Sequence, residues 1–220
     1  MVKSKILSRY PNLLHFFGIK KTSLNLENII IAEQIHNNKV VILHNGNNKF
    51  IEGVDGLVTD KPLILAIRTA DCLPIFFYSP KYKMIAAVHA GWKGLYTGII
   101  MNTVFQLKKL GADLKDIKVA IGPHIQVCCY KVFHERIEKF QITDAADSLH
   151  RLQNSSFGEL RSNSWYLDLG RVAIFQLESL GVSSSNIERS NICTSCDRRF
   201  FSYRRDGAKT GRMLSVIGLI

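Results

Sequence analysis

Short apolar runs punctuated by turn residues organise this chain, and helical periods enter only between them. "NIIIAEQIHNNKVVILHNG" predicts strands over 29–32 and 39–43, closed by a Gly/Asn turn. "EGVDGLVTDKPLILAIRTADCLPIFFYSP" predicts strands at 56–59, 63–68 and 73–78, whose near-continuous apolar character calls for burial on both faces. "KMIAAVHA" adds a strand, and "IKVAIGP" another that stops at Gly122-Pro123. Between them, Leu95, Ile99, Thr103, Leu107 and Leu110 form one stripe of a helix over about 95–110, with Gly111 placed as its C′ residue. Residues 130–155 read as helical with a restart after Thr143, and 168–180 as a helix ended by Gly181. "FFSYRRDGAKTGRMLSVIGLI" predicts a hairpin-like pair around Asp206-Gly207. Without a regular β-α alternation, a repeat or a linker, the expected architecture is α+β, one domain over 1–220 with buried sheets and outer helices.

Composition changes this picture little. With 220 residues, 46% apolar and 21% charged, the chain has the makings of a globular core. The net charge of +11 favours anionic partners. The lysines are scattered, and neither a basic helix nor an RNP-type motif is present, so nucleic acid is not expected. Five cysteines, two of them adjacent, do not form a disulfide framework. Pro11 and polar residues break any signal-like region in "MVKSKILSRYPNLLHFFGIKK", and no apolar run nears the roughly 20 residues of a membrane span. A cytoplasmic protein without membrane attachment is expected.

Three titratable residues end apolar strands: His36 after "IIIAEQI", Cys72 after "LILAIRTAD" and His89 after "MIAAV". Strand ends hold side chains on a rigid rim, so the three can converge as a His2Cys zinc site with an open fourth position. Asp71, Gln34 or a backbone carbonyl would then orient an imidazole. Core packing and a Cys72–His89 nucleophile–base pair are the competing readings. "CTSC", Cys193 to Cys196, lacks a second CxxC or a histidine pair at finger spacing, and Cys128-Cys129 reads as packing or local irregularity rather than chemistry. The densest basic cluster runs from Arg198 to Arg212, where Arg204, Arg205 and Arg212 are candidates for holding a phosphate and a solvated hairpin is the alternative.

"EQIHNNKV", "VDGLVT", "TADCLPIFF", "AAVHAGWKGL", "IGPHI", "LDL", "ICT" and "FFSYRRDG" with "TGR" resemble, in order, the signature segments of the YfiH-like family. Its members were long labelled multicopper polyphenol oxidases or laccase-domain proteins and are now described as purine nucleoside phosphorylases. The resemblance implies two packed β-sheets flanked by helices, a fold shared with a Cys–His toxin. It implies zinc held by His36, Cys72 and His89, with copper as the older claim, and Cys72, His89 and Asp71 as catalytic candidates. The implied activities are phosphorolysis of adenosine, inosine and S-methyl-5′-thioadenosine, and adenosine deamination. Purine nucleosides and phosphate are then the partners, a homodimer is compatible, and Gln34 joins the arginines as a substrate contact. Amide hydrolysis on peptidoglycan precursors and polyphenol oxidation are the alternatives. The chain departs from the family at its start: "HFFGIKKTSLNLENI" lacks the usual "F-S-T-R-x-G-G-x-S" loop, so segment 1–30 is abbreviated; if that arginine binds phosphate or ribose, Lys20, Lys21 or the C-terminal arginines must substitute, or phosphorolysis is weak.

Overall fold

The computed structural model describes residues 1–22, 29–141 and 157–220. A six-stranded sheet runs in the order β13 (Ile187–Arg189), β9 (Lys118–Ile121), β7 (Leu73–Ser79), β8 (Met84–Ala90), β5 (Gly56–Thr59) and β3 (Val40–Ile42). A five-stranded sheet runs β1 (Leu13–Phe16), β14 (Met213–Leu219), β6 (Ile64–Thr69), β2 (Ile29–Glu33) and β4 (Phe50–Glu52). Every residue of β7 and β8 is buried, as their unbroken apolar runs require.

The period of two in β7 sorts its side chains between two cores. Phe76 and Tyr78 join Ile30, Leu65, Ile67, Ile217 and Ile85 between the sheets. Ile75 and Phe77 join Val88 and the helices on the other face. Those helices are α1 (Trp92–Tyr96), α2 (Ile99–Lys109) and α4 (Leu169–Ser179), which supply Leu95, Ile99, Val104, Leu107, Val172 and Leu177. Each fully buried side chain of this size contributes about 1.5–3 kcal/mol. The result is three layers: helices, a central sheet, and a second sheet stacked on it.

The expected strands are present, displaced by a residue or two at their ends. Three expectations need correction. The helix over 95–110 is two helices, because Gly98 adopts φ +89° between α1 and α2; Gly111, at φ +94°, does close the second. The helical reading of 130–155 holds for α3 (His134–Gln141) alone; Lys131–Val132 is β10, and the restart after Thr143 lies outside the described residues. β10 pairs with β12 (Ser164–Leu167), itself a hairpin partner of β11 (Gly158–Arg161), which the sequence reading did not anticipate. The hairpin around Asp206-Gly207 is a short helix, α5 (Tyr203–Asp206), followed by β14, whose partners are the distant β6 and β1. Among the described residues no helix is long and apolar enough to cross a membrane.

Candidate functional site

The antiparallel register of β7 and β8 pairs Pro74 with His89 and Leu73 with Ala90, which brings Cys72 to the sheet rim beside His89. His36 arrives from the turn after β2 at φ +62°. The ligand atoms of His36, Cys72 and His89 lie within 4.8 Å of one another, with the two imidazoles edge to face at 4.7 Å between ring centres. A β-carbon on Gly91 would stand 3.1 Å from Cys72 Sγ and 3.4 Å from His36 Cδ2, so the glycine after "HA" leaves these side chains the space they share.

One buried carboxylate organises two of the three. Asp55, just before β5, accepts hydrogen bonds from the backbone N–H groups of Ile35, His36 and Asn37, at 3.0–3.1 Å. The same carboxylate lies 2.7 Å from His89 Nδ1, and the His89 N–H donates to the Asp55 carbonyl at 2.8 Å. Burial alone would raise the Asp55 carboxyl, but its bonds to His89 and to the Asn37 and Ile35 amides hold it below the usual carboxylate range. Burial would likewise raise the Cys72 thiol, yet the facing charge of His89 and a hydrogen bond from His36 bring it to about 6. His89 goes the other way: burial lowers it, while Cys72 and Asp55 lift it to about 9. Without metal each group thus favours the charged form of the other. A metal ion must displace the His89 proton and gains a preformed thiolate. With Nδ1 committed to Asp55, His89 presents Nε2, the tautomer that a carboxylate–histidine–metal arrangement needs. A thiolate, two imidazoles and a side open to a cavity form a donor set that fits zinc.

That cavity is about 820 Å³ and is lined by the three donors, by Trp92, Tyr130 and Tyr203, and by Arg68, Arg136, Arg204 and Arg212. Asp71 is the acidic residue in its wall. The Arg136 guanidinium lies 4.3 Å from the Trp92 ring centre and that of Arg204 5.2 Å from Tyr130. Thr210 Oγ1 is buried with no hydrogen-bond partner among the described residues, and Thr210 lines the cavity beside Arg212. Its hydroxyl is thus free to bond a water or a ligand oxygen.

The structure brings His36, Cys72 and His89 together but reassigns their surroundings. Asp71, at φ +88°, orients no imidazole: its carboxylate accepts from Thr194 Oγ1, Ser202 Oγ and the Arg204 backbone N–H, tying the C-terminal loop to the rim. Gln34 lines the cavity, yet its amide exchanges two hydrogen bonds with the Arg68 backbone. Arg205 is absent from the cavity wall; its guanidinium is spent on Asp206 and on the carbonyls of Thr194, Ser195 and Phe200. Arg204 and Arg212 do reach the cavity. The sequence reading missed Asp55, Arg68 and Arg136. Asp55 had a signal, an acid between Val54 and Gly56 at a strand entrance, whereas the arginines had none.

The family model described as multi-copper polyphenol oxidoreductase laccase matches residues 18–220. A purine nucleoside phosphorylase YlmD from Geobacillus stearothermophilus is 38% identical over 205 residues, 88% of this chain and 73% of that protein. A purine nucleoside phosphorylase from Clostridium acetobutylicum is 33% identical over 201 residues, 90% of this chain and 79% of the relative. Among solved structures, the YfiH protein of Bacillus licheniformis superposes with a TM-score of 0.80 at 35% identity, over 88% of this chain and 74% of its own.

Proposed function

From a chain that belongs to the multi-copper polyphenol oxidoreductase laccase family, the YfiH and YlmD type, we propose a zinc-dependent purine nucleoside phosphorylase. The observation that carries the proposal is the His36–Cys72–His89 donor set at the rim of a cavity lined by four arginines and three large aromatic side chains. The substrates are adenosine, inosine and S-methyl-5′-thioadenosine, with adenosine deamination as a second activity.

Phosphorolysis joins a phosphate oxygen to C1′ as the C1′–N9 bond breaks and its electron pair leaves with the purine. The protein must hold a dianion next to a neutral sugar and keep a flat base in line. Arg68, whose guanidinium has no hydrogen-bond partner among the described residues, and Arg212 supply fixed positive charge. Thr210 offers its unpaired hydroxyl to phosphate or ribose. Trp92, Tyr130 and Tyr203 give a purine aromatic surface to pack against in the cavity wall, with Arg136 and Arg204 already seated on the first two rings. Zinc, when held by the three donors, supplies Lewis acidity at the cavity rim. Copper in the same donors would serve the oxidase chemistry in the family's description.

The test is incubation of zinc-loaded protein with inosine and phosphate, monitoring hypoxanthine and ribose 1-phosphate. Product formation that the His89→Ala variant lacks is expected. Equal amounts from both proteins would overturn the reading.

A second reading has its own observation. Cys72, His89 and Asp55 stand as nucleophile, base and orienting carboxylate, with the thiol brought to about 6 and a 2.7 Å contact between His89 and Asp55. An amide hydrolase acting on cell-wall precursors would use this set without metal. Activity that survives chelation and is lost on alkylating Cys72 identifies it.

A further inference from the structure

The chain carries a second cluster of donors, independent of any nucleoside chemistry. Cys128, Cys129, Cys193 and Cys196 place all four sulfur atoms within 4.8 Å of one another, and all are free thiols. The Cys128–Cys129 and Cys128–Cys196 sulfur separations are 3.7 Å, and Cys129–Cys196 is 3.3 Å. A tetrahedral ion with metal–sulfur bonds of about 2.3 Å requires sulfur–sulfur edges of about 3.8 Å. Two of these edges already stand at the required length, and Cys129–Cys196, at 3.3 Å, needs to open by about half an ångström.

The backbone explains how adjacent cysteines reach one point. Residues 126–130 form a tight turn in which the amides of Cys129 and Tyr130 both donate to the Gln126 carbonyl. The CxxC pair sits on a second turn, where the Asp197 amide donates to the Cys193 carbonyl. A parallel bridge between His124 and Cys193 holds the two turns together. The Gln126 amide points at Cys193 Sγ at 3.4 Å, a contact suited to a thiolate acceptor.

Charge is provided for as well. Four thiolates around a divalent ion carry a net double negative charge, which needs nearby cations in a half-exposed site. Arg204 donates to the carbonyl of Cys129, and Arg205 to those of Thr194 and Ser195, so a guanidinium rests against each cysteine turn. "CTSC" looked short of ligands in the sequence, and the fold brings the Cys128-Cys129 pair within reach of it.

We infer that Cys128, Cys129, Cys193 and Cys196 form a tetrathiolate site for zinc that clamps two loops of the cavity wall together. Its place in the fold gives the clamp a consequence. One turn leads directly into the cavity-lining Tyr130, and the other carries Thr194, which holds the Asp71 carboxylate next to Cys72. Binding four cysteinates displaces four protons and forms no covalent bond between sulfurs, so no oxidant is required.

The test separates this cluster from the rim site by using Cys72→Ala, in which the four cysteines remain intact. Elemental analysis should find two zinc ions per wild-type chain and one in Cys72→Ala. Cobalt(II) in place of zinc in that variant should give the near-ultraviolet thiolate charge-transfer bands and intense visible bands of a tetrahedral tetrathiolate. Thiol titration of the same variant should find all four cysteines shielded until a chelator is added. Cys196→Ser should lose that one ion while wild-type protein keeps it; if this variant does not fold, the Cys72→Ala measurements still decide. A metal-free Cys72→Ala with four freely titrating thiols would overturn the inference. So would a disulfide among these cysteines, seen as thiols missing from the titration that a reductant restores.

Discussion

The two sulfur-bearing clusters are built on opposite principles. His36, Cys72 and His89 meet at the rim of a sheet whose strands β7 and β8 are buried throughout, and Asp55 fixes two of them from a fully buried position. Cys128, Cys129, Cys193 and Cys196 stand on two turns, two of them exposed, and the turns touch through one parallel bridge. The rim cluster is preorganised by the core and keeps a side open to the cavity, the geometry of chemistry. The turn cluster offers four sulfur donors, enough to fill a tetrahedral ion without an open position, the donor set of a fastening. Metal binding should therefore add activity at the first and local order at the second.

The largest effect expected from breaking this contrast is at His89. His89→Ala removes a donor and leaves the buried Asp55 carboxylate without its imidazole partner, so phosphorolysis should fall by at least about 100-fold. Its second metal, measured by elemental analysis, should stay. Loss of both metals from this one variant would mean that the clusters are not independent.

Asp55→Asn comes next. The amide cannot match the carboxylate as acceptor for His89 Nδ1 and for three backbone N–H groups at once. Zinc affinity at the rim should drop by about 10- to 100-fold, read by competition with a chromophoric chelator. Affinity at the four cysteines should not move. An unchanged rim affinity would show that Asp55 holds the fold rather than the metal.

Gly91→Ala probes the same site by volume alone. Gly91 is at φ −80°, so alanine strains no backbone torsion. Its methyl would stand 3.1 Å from Cys72 Sγ, closer than most carbon contacts tolerate. A crowding cost of about 1 kcal/mol corresponds to roughly a fivefold loss of rim metal affinity where it falls on the metal-bound geometry, and to a thermal midpoint lowered by about 2–4 °C where it falls on the folded state. The same chelator competition measures it.

The contrast also explains what could be read from the sequence. The rim residues stood out because they end apolar runs, although core packing and a nucleophile pair stayed open until the family resemblance favoured a ligand set. The strands over 56–59 and from Leu73 appear where the pattern puts them. The turn cluster did not stand out. No local spacing rule marks an adjacent Cys128-Cys129 pair as ligands, because adjacent side chains in regular structure point apart; a tight turn is what brings both sulfurs to one point. The distance in sequence from Cys129 to Cys193 hides the parallel bridge that joins them, since parallel pairing leaves no local signature. The β11–β12 hairpin escaped for a related reason. Ser162 and Asn163, at φ +43° and +59°, make a two-residue turn of the kind that Asn-Gly would have announced. Arg205 was misjudged because hydrogen bonds to carbonyls, not charge density, decide whether a guanidinium is available.

The smallest effect concerns acid, where both clusters would release metal as their donors are protonated, and where the fold itself carries a separate titration. His15, in β1, is 3% exposed and lies away from both clusters, against Ser4, Ser8, Lys3 and Glu188. Burial lowers its pKa from the usual 6.5, and Lys3 works in the same direction; the Leu13 and Ser4 carbonyls and Glu188 oppose without reversing it. The sign follows from which state binds the proton more tightly. The unfolded chain protonates first, so the folded state keeps its full advantage above about pH 6.5 and loses it progressively as pH falls toward the lowered folded value. His15→Gln keeps a group able to bond Ser4 and removes the titration. The unfolding midpoint of the variant should fall less steeply than that of wild type between pH 7 and 5, once both are measured in the same metal state. Metal loss contributes equally to the two proteins and cancels in the difference. Parallel curves would place the whole acid sensitivity of the protein elsewhere, with the two donor clusters the first groups to examine.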